Sequence, residues 1–328
     1  MGNNEKQKKL TLITLILMIF TSVFGFANMP RSFYLMGYGA IPWFILGAAF
    51  FFLPYAFMMA EYGAAFKEEK GGIYSWMEKS VGPKYAFVGL FMWYASYVIW
   101  MINICSSIWV PLSNMIFGVD RTSELGFFGL NSTQSLGILG VCWVVLVFII
   151  SRKGMSKITK ITSVGGIACA LLNVVLILGA VIVLVLNKGQ LAEPVQSAMS
   201  FVNSPNPAYQ TVTSMLSFLV FAIFAYGGIE AVGGLVDQTE NAEKTFPKGV
   251  AVAAIIISIG YSLGIFCVGV FTNWSSTLSG DNVNMANVAY VVMNNFGYTL
   301  GDSMGLSSAV SVQIGNWVAR FVGLSMFL

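Results

Sequence analysis

Val23-Phe24-Gly25-Phe26-Ala27-Asn28-Met29-Pro30-Arg31 interrupts the end of a charge-free run that extends from Leu10 to Pro30. A run of about 20 apolar residues suits a membrane helix. Here, however, Gly25 weakens the helix, while Pro30 removes a backbone donor and holds its predecessor away from ideal helical angles. Lipid offers no partner to a freed backbone group, so an interrupted membrane helix is tolerated only where it lines a cavity. Two hundred positions later, Phe224-Ala225-Tyr226-Gly227-Gly228-Ile229-Glu230 echoes the pattern. Phe24 aligns with Phe224, Gly25 with Ala225, Phe26 with Tyr226 and Ala27 with Gly227. The Gly-Gly pair in mid-span invites unwinding. Interrupted spans at corresponding positions point to a transporter site; glycines that only let helices pack closely are the alternative.

The rest of the chain agrees that lipid is its solvent. Of 328 residues, 57% are hydrophobic and 9% charged, where soluble domains carry about a quarter charged; the mean hydropathy is +0.77. A net charge of +3 is too small and too scattered for a nucleic-acid partner. The absence of histidine removes Ser-His-Asp triads, His-zinc sites and His-ligated haem. Cys105, Cys142, Cys169 and Cys267 stand singly in apolar runs without CxxC spacing, so they read as packing residues. No catalytic residue, metal or cofactor is expected. A membrane enzyme would need clustered acid–base groups, and the acidic residues fall mostly in loops.

Charge-poor runs predict eight spans, at about 10–36, 41–66, 84–117, 134–151, 160–187, 209–236, 248–272 and 306–328. Residues 1–9 form a cytoplasmic tail, and 10–328 form the transmembrane domain. The Asn-rich stretch Asn282–Asp302 reads as an interfacial helix. The first span lacks an A-x-A cleavage site, so it is not expected to be a signal peptide. Thirteen lysines and arginines fall in the tail and in the loops after the second, fourth and sixth spans, against Arg121 and Lys188 on the other side. That bias puts the N-terminus in the cytoplasm of a multi-pass protein of the cytoplasmic membrane.

Three stretches then resemble the amino acid–polyamine–organocation transporter superfamily, in particular its glutamate/GABA-antiporter-like branch. They are the broken segment ending at Pro30; Pro54 with Ala60-Glu61-Tyr62-Gly63 and Gly71-Gly72-Ile73-Tyr74-Ser75-Trp76; and Phe224–Glu230 with Glu240-Asn241-Ala242-Glu243-Lys244-Thr245-Phe246-Pro247-Lys248. The resemblance implies two inverted five-helix repeats with broken first and sixth helices. The first repeat would be 10–187, and the second, incomplete at 209–328, would lack its last two helices; the chain ends without a polar cap and reads as a fragment. Gly25 stands alone where the family usually has two glycines around a small polar residue. Gly166 stands where some members carry a lysine, so lysine-based coupling is not supported.

The implied function is secondary active transport of an amino acid, or a related small zwitterion or anion, by alternating access. A channel or a non-transporting integral membrane protein is the alternative. Half-helices that start at each break present N–H groups and a positive dipole end to a carboxylate, while those that stop there present carbonyls to an ammonium group. The substrate site is therefore expected at Phe24, Gly25, Phe26, Ala27, Asn28, Phe224, Tyr226, Gly227, Gly228 and Glu230. By resemblance Phe224 is an aromatic gate; an ordinary lipid-facing ring is the other reading. Glu230 within a span costs about 2.5 kcal/mol or more unless paired, protonated or wet. It either carries a proton, orients the break or pairs structurally. Arg31 either attracts an anionic group or snorkels. Trp100 and Asn103 on one helical face of the third span, and Gln313 and Trp317 on one face of the eighth, either line a polar cavity for gating and coupling or bond between helices. Expected partners are the amino-acid-like substrate, a coupling proton or counter-substrate, and membrane lipid.

Overall fold

The computed structural model describes residues 9–67, 69, 72–152 and 155–328, excluding the side chains of Ser151 and of 155–163. The tail 1–8 and Glu68, Lys70, Gly71 and Lys153, on which the sequence reading also drew, lie outside the described residues, as do the side chains of Lys157 and Lys160. Among the described residues all regular structure is helical, apart from one isolated bridge between Leu10 and Thr239.

In chain order the helices are α1 Leu12–Val23, α2 Asn28–Met36, α3 Ala40–Gly47, α4 Leu53–Ala65, α5 Ile73–Val81, α6 Pro83–Ser107 and α7 Trp109–Phe117. Then follow α8 Ser132–Ser151, α9 Met155–Leu186, α10 Val212–Ala225, α11 Ala242–Phe271, α12 Trp274–Thr277, α13 Val288–Ser303 and α14 Ser308–Phe327. Six helical stretches are long and apolar enough to cross a membrane: Asn28–Ala65, Pro83–Phe117, Ser132–Ile150, Val164–Leu186, Val212–Leu235 and Ala242–Phe271. The protein is thus a multi-pass membrane protein. α1 is apolar but short.

Local chemistry explains the boundaries. Asn131 caps α8 in a reciprocal box with Gln134, satisfying two N–H groups. Gly118, left-handed at φ +77°, closes α7. Between α3 and α4 the helix widens to a π segment, Ala48–Phe52, where Leu53 N–H reaches back to Ala48 O. Pro54 follows, and its missing N–H cannot bond the carbonyl four residues earlier, which favours a wider turn there.

The described chain forms two compact units, each assembled from three segments. The first comprises the chain up to Gly25, Trp43–Ala95 and Leu219–Tyr261; the second comprises Phe26–Pro42, Ser96–Phe218 and Ser262–Leu328. In the first, Leu15, Ile19 and Val23 bury one face of α1. Gly249 and Gly260 of α11 leave room for Leu15 and Phe24, and Gly63 of α4 for the Phe246 ring. Leu10 N–H donates to Gln238 O at 2.8 Å and Glu240 N–H to Leu10 O at 3.0 Å, which anchors the entry to α1. In the second unit, Gly264 and Gly269 accommodate Met29 and Tyr38, and Gly179 the Phe296 ring. In lipid, such glycine–large pairs hold helices by close packing, since apolar burial there adds little.

In the Asn-rich stretch, α13 buries Val288, Ala289, Val292, Met293 and Phe296. Gly297 and Gly301 let it approach α14 so closely that a Cβ at Gly297 would lie 2.8 Å from Gly315 Cα.

Candidate functional site

Both expected helix breaks exist. At the first, α1 stops at Val23, Phe24 turns to φ −81° and ψ 90°, and helical geometry resumes at Asn28. Pro30 falls in the first turn of α2, where its missing N–H removes no helical bond. At the second, α10 stops at Ala225, and Gly228 takes φ +114°. The chain continues as a tight 3-10 segment, Ile229–Leu235. A side chain at Gly228 would be strained by that φ, and its Cβ would lie 3.1 Å from Ser22 O.

In the first unit the two breaks converge on a residue that the sequence did not single out, Tyr261 of α11. Its hydroxyl accepts from Gly25 N–H at 2.9 Å and lies 3.0 Å from Val23 O and 2.9 Å from Ala225 O. One hydroxyl carries one proton, so it donates to only one of these two carbonyls at a time. The terminal carbonyl of α1 and that of α10 therefore compete for one donor. Rings close around this point: Phe24 and Tyr261 at 4.5 Å, Tyr226 and Tyr261 at 5.3 Å, and Phe44 and Tyr261 at 5.2 Å between centroids. Tyr226 is fully buried, with its hydroxyl engaged by Phe44 O at 3.0 Å.

Glu230 folds back over its own break. Its Oε2 accepts from Gly228 N–H at 3.1 Å, and its Oε1 accepts from Trp93 Nε1 at 3.3 Å. Phe224 is 61% exposed and Gly227 is also exposed. Pocket-forming Glu61 lines a cavity of about 330 Å³ with Tyr62, Phe66 and Ser80. Lys67 pairs with Glu243 at 2.8 Å and Lys79 with Glu69 at 2.6 Å.

The remaining expected residues belong to the second unit. Phe26 and Ala27 are buried, and Asn28 opens α2, where its carbonyl accepts from Ser32 Oγ at 2.6 Å. Arg31 Nε donates to Met285 O at 2.8 Å. Trp100 lies 5.2 Å from the Tyr97 ring, and exposed Asn103 accepts from Ser107 Oγ at 3.0 Å through its own Oδ1. Gln313 is exposed, as is Trp317, which the Arg320 guanidinium overlies at 5.4 Å. The structure brings Phe24, Gly25, Tyr226, Gly228 and Glu230 into one unit, while Trp100 and Asn103 of α6 and Gln313 and Trp317 of α14 lie in the other. Tyr261 and Trp93 were missed because each lies in an apolar run with no local signal.

The amino acid permease family model matches residues 10–326. The inner membrane transporter YjeM of Escherichia coli is 56% identical over 321 residues, which is 98% of this chain and 63% of that protein. The aspartate/glutamate permease AcaP of Lactococcus lactis is 26% identical over 297 residues, 90% of this chain and 58% of the relative. A glutamate/gamma-aminobutyrate antiporter of the same species is 23% identical over 225 residues, 68% and 42%. The chain thus spans less than two thirds of the length of each of these relatives. With both broken helices in place and the family model covering nearly every residue, the chain belongs to the amino acid permease family.

Proposed function

We propose that the protein serves secondary active transport of an amino acid or related small zwitterion or anion across the cytoplasmic membrane, by alternating access and without enzymatic chemistry. The observation that carries this reading is the meeting of two broken helices at one hydroxyl, with Gly25 N–H, Val23 O and Ala225 O all within 3.0 Å of Tyr261 Oη. Half-helix ends with opposed polarity match a zwitterion, carboxylate to N–H groups and ammonium to carbonyls. The names of AcaP and of the glutamate/gamma-aminobutyrate antiporter agree with an amino-acid-like substrate.

In this reading the chain crosses the membrane eight times with its N-terminus in the cytoplasm. Its segments 10–187 and 209–328 form a five-helix repeat and part of an inverted one. Phe24, Gly25, Phe26, Ala27, Asn28, Phe224, Tyr226, Gly227, Gly228 and Glu230 hold the substrate, with Phe224 as a gate. Arg31, Glu230, Trp100, Asn103, Gln313 and Trp317 serve gating or coupling to a proton or counter-substrate. Proteoliposomes holding the protein, with full-length YjeM as a control, test this. Saturable, counter-substrate-stimulated uptake of labelled amino acids that is lost with Gly228→Leu is expected. Non-saturable flux, or uptake indifferent to that substitution, contradicts it.

A further inference from the structure

Glu61 opens on the cavity of about 330 Å³ in the first unit, whose lining is Met58, Glu61, Tyr62, Ala65, Phe66 and Ser80. Met58, Glu61, Tyr62 and Ala65 belong to the last two turns of α4, and Phe66 is its C-cap. Ser80 is the penultimate residue of α5. Two helix C-termini therefore open on one space, and each brings the partial negative charge of its macrodipole. Ala65 closes the first stretch long and apolar enough to cross a membrane, so the cavity lies at the membrane–water boundary. Met58 on its wall is 43% exposed.

Glu61 supplies the one formal charge of the lining and has no ion-pair partner among the described residues. Lys67, next to Phe66, is held by Glu243 at 2.8 Å, and Lys79, next to Ser80, by Glu69 at 2.6 Å. Side-chain donors are scarce. Ser80 commits its proton to Trp76 O at 2.7 Å, which leaves the lone pairs of its Oγ open. An ionised carboxylate only accepts, and Met58, Ala65 and Phe66 carry no side-chain donor, so the Tyr62 hydroxyl is the one donor left in the lining. The Tyr62 ring stacks on Trp76 at 5.9 Å and on Phe66 at 6.0 Å between centroids, which fixes the aromatic wall. Aromatic rings, an unpaired carboxylate and open lone pairs suit a cation that donates N–H bonds and rests against a ring. A carboxylate or phosphate would meet Glu61 and a single donor.

We infer that this cavity is a binding site for an ammonium group, carried by a lipid headgroup or by a soluble amine. The inference rests on the cavity and does not require the transport reading. Labelling tests it in the protein with its native cysteines replaced and Ala65→Cys, on the cavity wall, as the single thiol. The reagent is methyl methanethiosulfonate, which is neutral and so indifferent to surface charge. In nanodiscs of phosphatidylglycerol alone the thiol should react freely. An equal part of phosphatidylethanolamine in the disc, or millimolar ethanolamine added to the phosphatidylglycerol disc, should slow labelling by about fivefold, the order that one exposed ion pair and a cation–π contact supply together. Slowing by the lipid alone assigns a lipid headgroup, and slowing by ethanolamine assigns a site open to soluble amines. Glu61→Gln should abolish the protection, Phe66→Leu should weaken it and Glu61→Asp should keep part of it. One labelling rate in all three conditions, slowing by acetate, or full protection retained in Glu61→Gln would overturn the site.

Discussion

The two helix breaks reach the same result by different physical means. The first needs no left-handed residue among Phe24–Ala27; α1 stops at Val23, and the Gly25 N–H is taken up by Tyr261. The second depends on backbone freedom, with Gly228 at φ +114° and a carboxylate two residues on that accepts its N–H. A break stabilised by a distant hydroxyl tolerates change in its own residues and is sensitive to its partner. A break made by a glycine is sensitive at the glycine. The numerical echo between 24–27 and 224–227 marks where the breaks lie and says nothing of this difference in cause.

Substitutions can break or sharpen that contrast. The largest effect is expected at the second break, where Gly228→Leu meets both a forbidden φ and Ser22 O at 3.1 Å. Uptake should fall below detection while membrane insertion, followed by fluorescence-detected size exclusion, persists. Gly228→Ala, with the same strain and less bulk, should retain a fraction of the parent rate. Glu230→Gln comes next. It keeps one accepting oxygen but loses the charge-assisted bonds to Gly228 N–H and Trp93, and uptake should be abolished or strongly reduced with insertion intact. Wild-type-like uptake would remove Glu230 from any central role.

Tyr261→Phe addresses the first break. Removing the hydroxyl leaves Gly25 N–H and whichever of the two carbonyls it was serving without a partner, a cost of about 1–3 kcal/mol for each buried group left unsatisfied. Uptake should drop by about tenfold or more, since 1.4 kcal/mol is a factor of ten, and the thermal midpoint should fall. An unchanged rate would mean that the first break stands without Tyr261. The smallest effect is expected at the exposed Lys67–Glu243 pair, where Lys67→Ala should leave stability nearly unchanged because solvent screens the pair. Thermal denaturation of the two proteins side by side reads the difference.

Much of the helical layout was legible because membrane helices announce themselves in runs without charge. The Gly-Gly pair and Gly25 marked irregular backbone correctly, since glycine loosens the local helix. What stayed hidden depended on distant partners. Tyr261 lies 236 residues from the N–H it accepts, and nothing near it in the chain signals that contact. Trp93 reaches Glu230 across 137 positions for the same reason. Composition reports polarity and not direction: Gly297 and Gly301 draw α13 against α14, where Asn294 and Asn295 line a cavity. Phe224 and Tyr226, two positions apart, fall to opposite fates, one exposed and one fully buried, because the turn after Ala225 redirects the chain between them.

Hydrogen–deuterium exchange of the protein in nanodiscs, with and without a panel of saturating amino acids, addresses the central claim directly. Peptides covering 24–28 and 226–229 should exchange much faster than the flanking α1 and α10, and at least one amino acid should slow both together. Protection of both segments equal to that of the flanking helices, or exchange indifferent to every amino acid, would contradict the account.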